Sequence, residues 1–260
     1  MQDRPHTLYR SIFSEEQRAR LRPLAYPLDS LFRFALWRAA RGRVFAGPFT
    51  GLLLEPRPFL PHLLGTYELE LHGVIEGLCA RPWHKIVNVG GGNGFYIAGL
   101  GRRVPDAQLV VFELEAEARD VIRRTMERNG LSARTQLLGT ADPGGLETAC
   151  RGEGPTLVVM DVEGAEVELT DLTNVPSLRR ATILVETHDV LRAGCRDAIV
   201  AQLAPTHVMH SIATVPRTLA DFPRELAPVL MHLAPARCLA AVLEPRGGPQ
   251  EWLVLEPRTA

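Results

Sequence analysis

From about residue 85 onward, the sequence alternates short apolar runs with spacers long enough to hold a helix. The runs are KIVNV (85–89), LVVFE (109–113), RTQLL (134–138), TLVVMD (156–161) and ATILVE (181–186). Continuous apolar strands separated in this way are typical of a parallel sheet with helices on both faces. Two later runs, HVMHSIA (207–213) and EWLVLE (251–256), bring the predicted strands to seven. The sequence therefore predicts an α/β fold.

Residues 1–65 lack this alternation and are interpreted as an N-terminal helical accessory segment before a domain of residues 66–260. Helical stretches are predicted around 14–21 and 29–41. In this segment, one helix face is expected to pack on the core: Leu31, Phe32, Phe34 and Trp37. Thr66 is placed to cap the first helix of the larger domain, because apolar residues recur beyond it at helical spacing: Leu71, Val74, Ile75 and Leu78.

Composition excludes several classes of protein. With 46% hydrophobic and 23% charged residues, the chain has globular proportions. No apolar run approaches the roughly 20 residues that span a membrane, and the first residues hold no apolar signal region. The four cysteines lie far apart without a CxxC pair, which favours a reducing cytoplasm over disulfides or a zinc site. We therefore expect a cytoplasmic protein without a membrane partner.

Basic residues are distributed unevenly. Residues 1–65 contain ten Arg and five acidic residues, an excess that could meet an anionic partner but is interpreted as arginines scattered on solvated helix faces. Because no ladder of aromatic residues interleaves these arginines, we expect no nucleic-acid partner. The single lysine, Lys85, begins a predicted buried strand, and no GxxxxGK[ST] motif occurs. Both facts argue against Schiff-base chemistry and P-loop phosphate transfer.

A glycine-rich loop follows the first predicted strand and contains Gly90, Gly91, Gly92 and Gly94. A doubly wound sheet binds a nucleotide at this point. Glycine lets the backbone approach a ligand closely, and the helix N-terminus beyond the loop offers free N–H donors. Glu113 ends the second strand about 20 residues further on, where a carboxylate can accept hydrogen bonds from both ribose hydroxyls. The loop and Glu113 together predict a nucleotide site.

The residue after these glycines separates two kinds of nucleotide. In a nicotinamide-binding GxGxxG loop that begins at Gly90, the third glycine would replace Phe95, so this bulky residue argues against NAD. The loop and the segment FELEAEARDVIRRTMERNGL instead resemble class I S-adenosylmethionine-dependent methyltransferases. The resemblance implies a Rossmann-like mixed sheet in the order 3-2-1-4-5-7-6, with S-adenosylmethionine as cofactor. Asn88 departs from the family, which usually has Asp or Glu there, near the ammonium end of the cofactor.

Acidic residues close the fourth and fifth predicted strands, in DVEGAE (161–166) and VETHD (185–189). With GTYELEL (65–71), which contains Tyr67 and Glu68, they are similar to the FkbM-like methyltransferases over roughly residues 65–190. This resemblance implies O-methylation of a small-molecule or saccharide hydroxyl. The predicted cofactor-binding residues are Tyr67, Asn88, Gly90, Gly91, Gly92, Gly94, Phe95, Glu113 and Asp161.

Methyl transfer to a hydroxyl requires an aligned acceptor and removal of the hydroxyl proton. His188 is the predicted base, because the unperturbed pKa of histidine lies near neutral pH. Asp161 could orient His188 or accept a hydrogen bond from the acceptor, with Glu163 beside them. Glu166 is interpreted as an ordinary acid in a first helical turn, where it compensates the helix dipole.

A metal variant and two other functions stay open at this point. Asp161, Glu186 and His188 could hold Mg²⁺ or Mn²⁺ against a diol, although no fixed ligand spacing supports this. The domain could instead be a non-catalytic module that binds the cofactor or a partner, which Asn88 allows. The other alternative is an NAD-dependent oxidoreductase, against which Phe95 and the lack of a recognisable hydride-transfer site count. The sequence predicts neither which particular compound is the acceptor nor the oligomeric state.

Overall fold

The computed structural model describes residues 27–258, except for residues 245, 247 and 249. Its centre is a seven-stranded sheet in the order β3-β2-β1-β4-β5-β7-β6. The strands are β1 (Lys85–Val89), β2 (Gln108–Phe112), β3 (Thr135–Leu138), β4 (Thr156–Met160), β5 (Thr182–Thr187), β6 (His207–Ala213) and β7 (Glu251–Pro257). The seven predicted strands, the α/β class and the implied strand order are confirmed.

One strand, β7, runs opposite to the other six. β1 to β5 pair in parallel, whereas β7 lies antiparallel between β5 and β6. The inner parallel strands β1, β2, β4 and β5 are almost wholly buried because helices cover both faces, whereas the edge strand β3 is only partly buried. The loops after β1, β2, β4 and β5 consequently leave the sheet at the same edge, which is where ligands bind in open α/β sheets.

The register of β1 against β4 brings two of these loops together. Val89 pairs with Met160, and the backbone N–H of Asp161 donates to the carbonyl of Val89 at 2.9 Å. The glycine loop and the acidic DVEGAE segment therefore begin side by side.

Helices lie on both faces of the sheet. They are α1 (Pro27–Ala39), α2 (Leu60–Leu64), α3 (His72–Cys79), α4 (Phe95–Arg103), α5 (Ala116–Arg128), α6 (Pro143–Cys150), α7 (Glu166–Leu169), α8 (Cys195–Leu203), α9 (Pro228–Leu233) and α10 (Pro235–Val242). The predicted helix around 29–41 corresponds to α1, and the one around 14–21 lies outside the described residues. Among the described residues, no helix has the length and apolar character needed to cross a membrane.

Two apolar cores flank the sheet. Alternate strand residues point to opposite faces, so that Ile86 packs in one core and Val87 in the other. Phe49, Leu52 and Leu64 belong to the same core as Ile86, which attaches this part of the N-terminal segment to the sheet. The predicted boundary between an accessory segment of residues 1–65 and a domain of residues 66–260 stays a prediction.

The predicted cap at Thr66 is wrong. Helix α3 begins at His72, its N-cap residue is Leu71, and no side chain makes a capping hydrogen bond there. A 3₁₀ turn, Leu69–Leu71, separates Thr66 from the helix and displaces the helix start. The hydroxyl of Thr66 is buried without a hydrogen-bond partner among the described residues.

The predicted packing face of α1 is partly wrong. Phe32 is buried and Trp37 packs against the core, but the side chains of Leu31 and Phe34 are 62% and 58% exposed. The buried face passes through Phe32 and Leu36 at a spacing of four residues, so Leu31 and Phe34 fall on the opposite side.

Candidate active site

The glycine loop turns back sharply at the end of β1. The N–H groups of Gly90 and Gly91 both donate to the carbonyl of Phe112, at 3.0 and 2.9 Å, and so tie the loop to the end of β2. Gly90 has φ of +81°, and a Cβ on it would lie 1.7 Å from the carbonyl oxygen of Asp161. Only glycine fits this position. A Cβ on Gly92 would meet nothing within 4 Å, so the loop presents bare backbone to the crevice there.

Glu113 lies directly against this loop. Its Oε2 accepts a hydrogen bond from the N–H of Gly92 at 2.7 Å, and its Oε1 accepts one from the N–H of Glu115 at 2.9 Å. A carboxylate has about four acceptor positions, so two are left for a ligand. The side chain is oriented by the backbone on both sides and fits a pair of ribose hydroxyls.

Asn88 is buried one residue before the end of β1. Its amide nitrogen donates to the carbonyl of Val159 at 3.3 Å and to that of Gly90 at 3.4 Å. Its Oδ1 has no hydrogen-bond partner among the described residues. An unpaired buried acceptor is costly, and a ligand N–H donor, such as the ammonium of S-adenosylmethionine, would satisfy it. Asn88 therefore lacks the charge expected at this position but keeps an acceptor.

Phe95 and Tyr67 belong to an aromatic cluster beside the loop. The ring of Phe95 stacks on His62 at 4.0 Å between centroids, and Tyr67 contacts both rings edge to face. Phe95 is buried, so its ring packs beneath the surface next to the loop and is not an exposed surface of the crevice. Burial, followed by the charges of Glu68 and Asp161, raises the pKa of the Tyr67 hydroxyl. Tyr67 thus joins the aromatic cluster to the acidic strand ends.

His62 is a residue of this site that the sequence did not indicate. Its Nδ1 accepts a hydrogen bond from the Asn93 side chain at 3.1 Å. Burial lowers the pKa of His62 to about 3, so the ring is neutral at physiological pH. This neutral ring both holds Asn93 of the glycine loop and supports Phe95.

His188 is held in one orientation by Glu166. The Nδ1–H of His188 donates to Oε1 of Glu166 at 2.7 Å, and both side chains are buried. Glu166 also accepts hydrogen bonds from the backbone N–H groups of Val162 and Gly164, at 3.0 and 2.9 Å. The interpretation of Glu166 as ordinary dipole compensation is wrong, because a buried carboxylate with these three donors positions the histidine.

The other ring nitrogen of His188 faces two carboxyl groups. Nε2 lies 3.4 Å from Oδ1 of Asp161 and 3.6 Å from Oε2 of Glu186. The predicted catalytic pair His188 and Asp161 is therefore brought together. Glu163 is exposed in the loop after Asp161, with φ of +56°. Burial raises the pKa of Asp161, the charge of His188 opposes this, and the charge of Glu163 adds to the increase.

The pKa values of the side chains in this cluster differ from those expected from the sequence. Burial lowers the pKa of His188, but the hydrogen bond with Glu166 and the charges of Glu166, Asp161 and Glu186 raise it to about 9. Burial and the charge of Asp161 raise the pKa of Glu186 to about 8. The expectation of a histidine pKa near neutrality is wrong for the protein alone, because sequence does not show how many carboxylates surround the ring.

Arg246, in the segment before β7, forms ion pairs with the acidic residues around this cluster. It donates to Glu186 at 2.9 Å, to Glu68 at 3.1 Å and to Glu244 at 2.9 Å. Glu68 is buried and also accepts from the side chains of Tyr96 and Trp252. Burial raises the pKa of Glu68 to about 7. Nothing in the sequence signalled this ion-pair network, because its members are up to 178 residues apart.

Comparison with known proteins gives matches among solved structures. No family model matches the chain, and no curated protein matches it. The human methyltransferase 10 domain containing protein is similar with a TM-score of 0.50 and 13% identity, over 89% of this chain and 96% of that chain.

Two bacterial structures are similar at lower scores. The O-methyltransferase TomG of Streptomyces achromogenes, involved in tomaymycin synthesis and solved in complex with SAM, has a TM-score of 0.46 and 18% identity, over 88% of this chain and 96% of that one. Sp1610 of Streptococcus pneumoniae, described as a candidate tRNA (m1A22) methyltransferase, has a TM-score of 0.42 and 13% identity, over 70% and 68%.

Strand order and structural likeness define the class of fold. The chain has the Rossmann-like fold of class I S-adenosylmethionine-dependent methyltransferases. At identities this low, the likeness shows the fold alone. The FkbM-like subgroup, the acceptor, the absence of a nucleic-acid partner and the cytoplasmic location stay predictions.

Proposed function

We propose that this chain is an S-adenosylmethionine-dependent methyltransferase of the FkbM-like subgroup that methylates a hydroxyl of a small-molecule or saccharide acceptor. One observation carries the proposal: the glycine loop and Glu113, which form the proposed nucleotide cradle, lie directly beside buried His188 and half-buried Asp161. The two parts meet where Gly90 packs on the backbone of Asp161. A nucleotide in this cradle would therefore present its reactive end to a group able to take a proton.

The proposed cofactor-binding residues match the chemistry of the cofactor. Glu113 has acceptor positions left for the ribose hydroxyls, and Oδ1 of Asn88 is an unused acceptor for an ammonium N–H. Gly92 leaves the crevice open at the loop. The proposed set is Tyr67, Asn88, Gly90, Gly91, Gly92, Gly94, Phe95, Glu113 and Asp161.

Bound S-adenosylmethionine would supply a methyl group on a sulfonium: the S–CH₃ bond would break with its electron pair left on sulfur while an O–CH₃ bond forms on the acceptor. The residues of this chain align the acceptor oxygen and accept its proton. We assign the proton to Nε2 of His188, the nitrogen that Glu166 leaves free. Asp161, whose Oδ1 lies 3.4 Å from Nε2, orients His188 and stabilises the positive charge that the ring gains, and Glu163 lies beside it on the exposed side.

Proton transfer to His188 requires the neutral imidazole ring. With a pKa of about 9, the ring is mostly protonated at neutral pH in the protein alone. A positive charge bound next to the ring disfavours a second cation and lowers its pKa. Occupation of the crevice by a sulfonium therefore favours the neutral, proton-accepting form.

A metal-assisted form of the reaction is the alternative mechanism. One ligand atom from each of Asp161, Glu186 and His188 lies within 4.8 Å of the others, which is compatible with Mg²⁺ or Mn²⁺. We favour the metal-free form because Glu186 already has a cationic partner, Arg246, at 2.9 Å. Turnover that survives dialysis against EDTA supports this choice, and turnover restored only by added Mn²⁺ or Mg²⁺ overturns it.

The catalytic assignment is tested by transfer of a radiolabelled methyl group to a panel of methyl glycosides. We expect His188→Gln and Asp161→Asn each to lower turnover about 100-fold, while the Kd for S-adenosylmethionine changes less than about two-fold. Asp189→Asn is the control, because Asp189 is exposed and bonds only to Gly194 and Arg196 among the described residues. Cofactor binding without transfer to any glycoside would favour the non-catalytic module, and reduction of NAD would favour the oxidoreductase.

A further inference from the structure

A second groove lies away from the proposed active site. It has a volume of about 460 Å³ and is lined by Trp37, Arg38, Arg41, Gly42 and Arg128. Helix α5 starts just after Glu113, at the active-site edge of the sheet, and Arg128 is its last residue. Thirteen helical residues extend about 18 Å, so the groove lies at the opposite edge. We call it the arginine groove.

The arginine groove carries uncompensated positive charge. Arg38 and Arg41 are exposed and make no ion pair with any carboxylate of the described residues. Arg128 lies 3.7 Å from Glu55, but that carboxylate is held more closely by Arg124, at 2.8 Å. Among the described residues, Arg38 and Arg41 thus have no carboxylate partner, and Arg128 shares its single carboxylate with Arg124. Guanidinium groups that lack partners are suited to bind phosphate, which they contact with paired N–H donors.

Trp37 is fixed as one wall of the groove. The N–H of Gly42 donates to the carbonyl of Trp37 at 3.0 Å and closes the end of α1. Gly42 has φ of +67°, and a Cβ there would come within 2.7 Å of the Trp37 ring. Because Gly42 has no side chain, its backbone packs directly against the indole ring of Trp37. A rigid aromatic wall beside arginines suits a ligand that combines a planar ring with negative charge.

We propose that the arginine groove binds a nucleoside phosphate, with its phosphates on Arg38, Arg41 and Arg128 and its base against Trp37. The volume lies within the range of small-ligand sites, about 300–1,000 Å³. This site is separate from the cofactor cradle, and the inference does not depend on the proposed methyl transfer.

Tryptophan fluorescence gives a selective test. Of the three tryptophans, Trp83 and Trp252 are 3% and 0% exposed, so a ligand that changes the emission on contact reports on Trp37. ADP is the probe, titrated at low salt and again at 0.5 M salt. We expect a saturable change that weakens with salt and an affinity at least ten-fold lower in the double variant Arg38→Gln/Arg41→Gln. Arg180→Gln, which alters an exposed arginine outside the groove, should bind as the wild type does.

Several results would overturn the proposal. One is a titration without saturation, and another is equal affinity in the double variant. Loss of ADP binding in Glu113→Ala would show that ADP enters the cofactor cradle instead. Pyrophosphate that binds as tightly as ADP would remove the role of the base, and a single-stranded oligonucleotide that binds ten-fold more tightly would make the groove a nucleic-acid surface.

Discussion

At the residue scale, the charge state of the site depends on how Glu166 and His188 are paired. Glu166 is buried, and its hydrogen bond fixes which nitrogen of His188 faces the crevice. Although burial raises the pKa of Glu166, the hydrogen bonds from His188 and the backbone lower it below its usual value. Glu166 therefore stays ionised and holds the proton on Nδ1, which is the requirement for a base that acts through Nε2.

The first prediction concerns this pair. Glu166→Gln removes the negative charge that holds His188, so we expect kcat to fall about 100-fold with the Kd for S-adenosylmethionine nearly unchanged. The measurement is turnover beside calorimetric cofactor binding. Glu168→Gln is the control, since Glu168 is exposed two residues later and pairs with Arg192. Equal turnover in both variants would show that Glu166 does not position the base.

His62 gives a pH dependence of stability. Its pKa is about 3 in the folded protein and about 6.5 when exposed, so the unfolded chain binds more protons between these values. The stability that neutral His62 contributes is complete above about pH 6.5 and is lost as the pH falls towards 3. We expect His62→Phe, which keeps a ring against Phe95, to lose less stability than the wild type between pH 7 and pH 4.

Urea unfolding at pH 7, 5.5 and 4 checks this expectation. The exposed histidine His84, changed to Gln, serves as the control and should keep the wild-type slope. The account of His62 would be contradicted if stability fell equally with pH in wild type and His62→Phe.

At the element scale, the glycine loop contains one glycine that packing requires and one that faces open space. Gly90 is packed on Asp161, where no side chain fits, whereas a Cβ on Gly92 would point into open space. Both residues have positive φ, of +81° and +53°, so an alanine at either position is strained. The difference between them is therefore the space around the Cβ.

A pair of alanine variants separates these two roles. Gly90→Ala should lose about 3 kcal/mol or more of stability, because backbone and strain penalties add to a clash. Gly92→Ala should lose only about 1 kcal/mol but bind S-adenosylmethionine at least ten-fold more weakly, because its methyl group enters the cradle. Thermal unfolding and calorimetry measure the two effects. Unimpaired binding by Gly92→Ala would place the cofactor elsewhere.

At the scale of the whole molecule, local patterns predicted the strands well and the connections between distant residues poorly. The seven strands were predicted because each is a short apolar run, whose signal lies within four to seven residues. The contact between the glycine loop and Glu113 was predictable because both follow strand ends at a known spacing, whereas a nucleotide site there stays a proposal. The strand order came from the family resemblance, since apolar runs alone do not show which strands are neighbours.

The residues that sequence reasoning missed act through partners far along the chain. Glu166 positions a histidine 22 residues away, and Arg246 joins Glu68 to Glu186 across the sheet. The Thr66 cap failed for a local reason, because a 3₁₀ turn intervened before the helix. Contacts between residues far apart in the chain leave no periodic pattern in the sequence, so they could not be predicted from it.

The most direct test of the central claim is calorimetric titration of the purified protein with S-adenosylmethionine, its demethylated product and NAD. We expect micromolar binding of both sulfur compounds, no binding of NAD, and loss of binding in Glu113→Ala. Glu117→Ala, which alters an exposed acid in the first turn of α5, should bind normally. Absence of heat with either sulfur compound, or binding that Glu113→Ala leaves unchanged, would contradict the assignment of this crevice as a methyltransferase cofactor site.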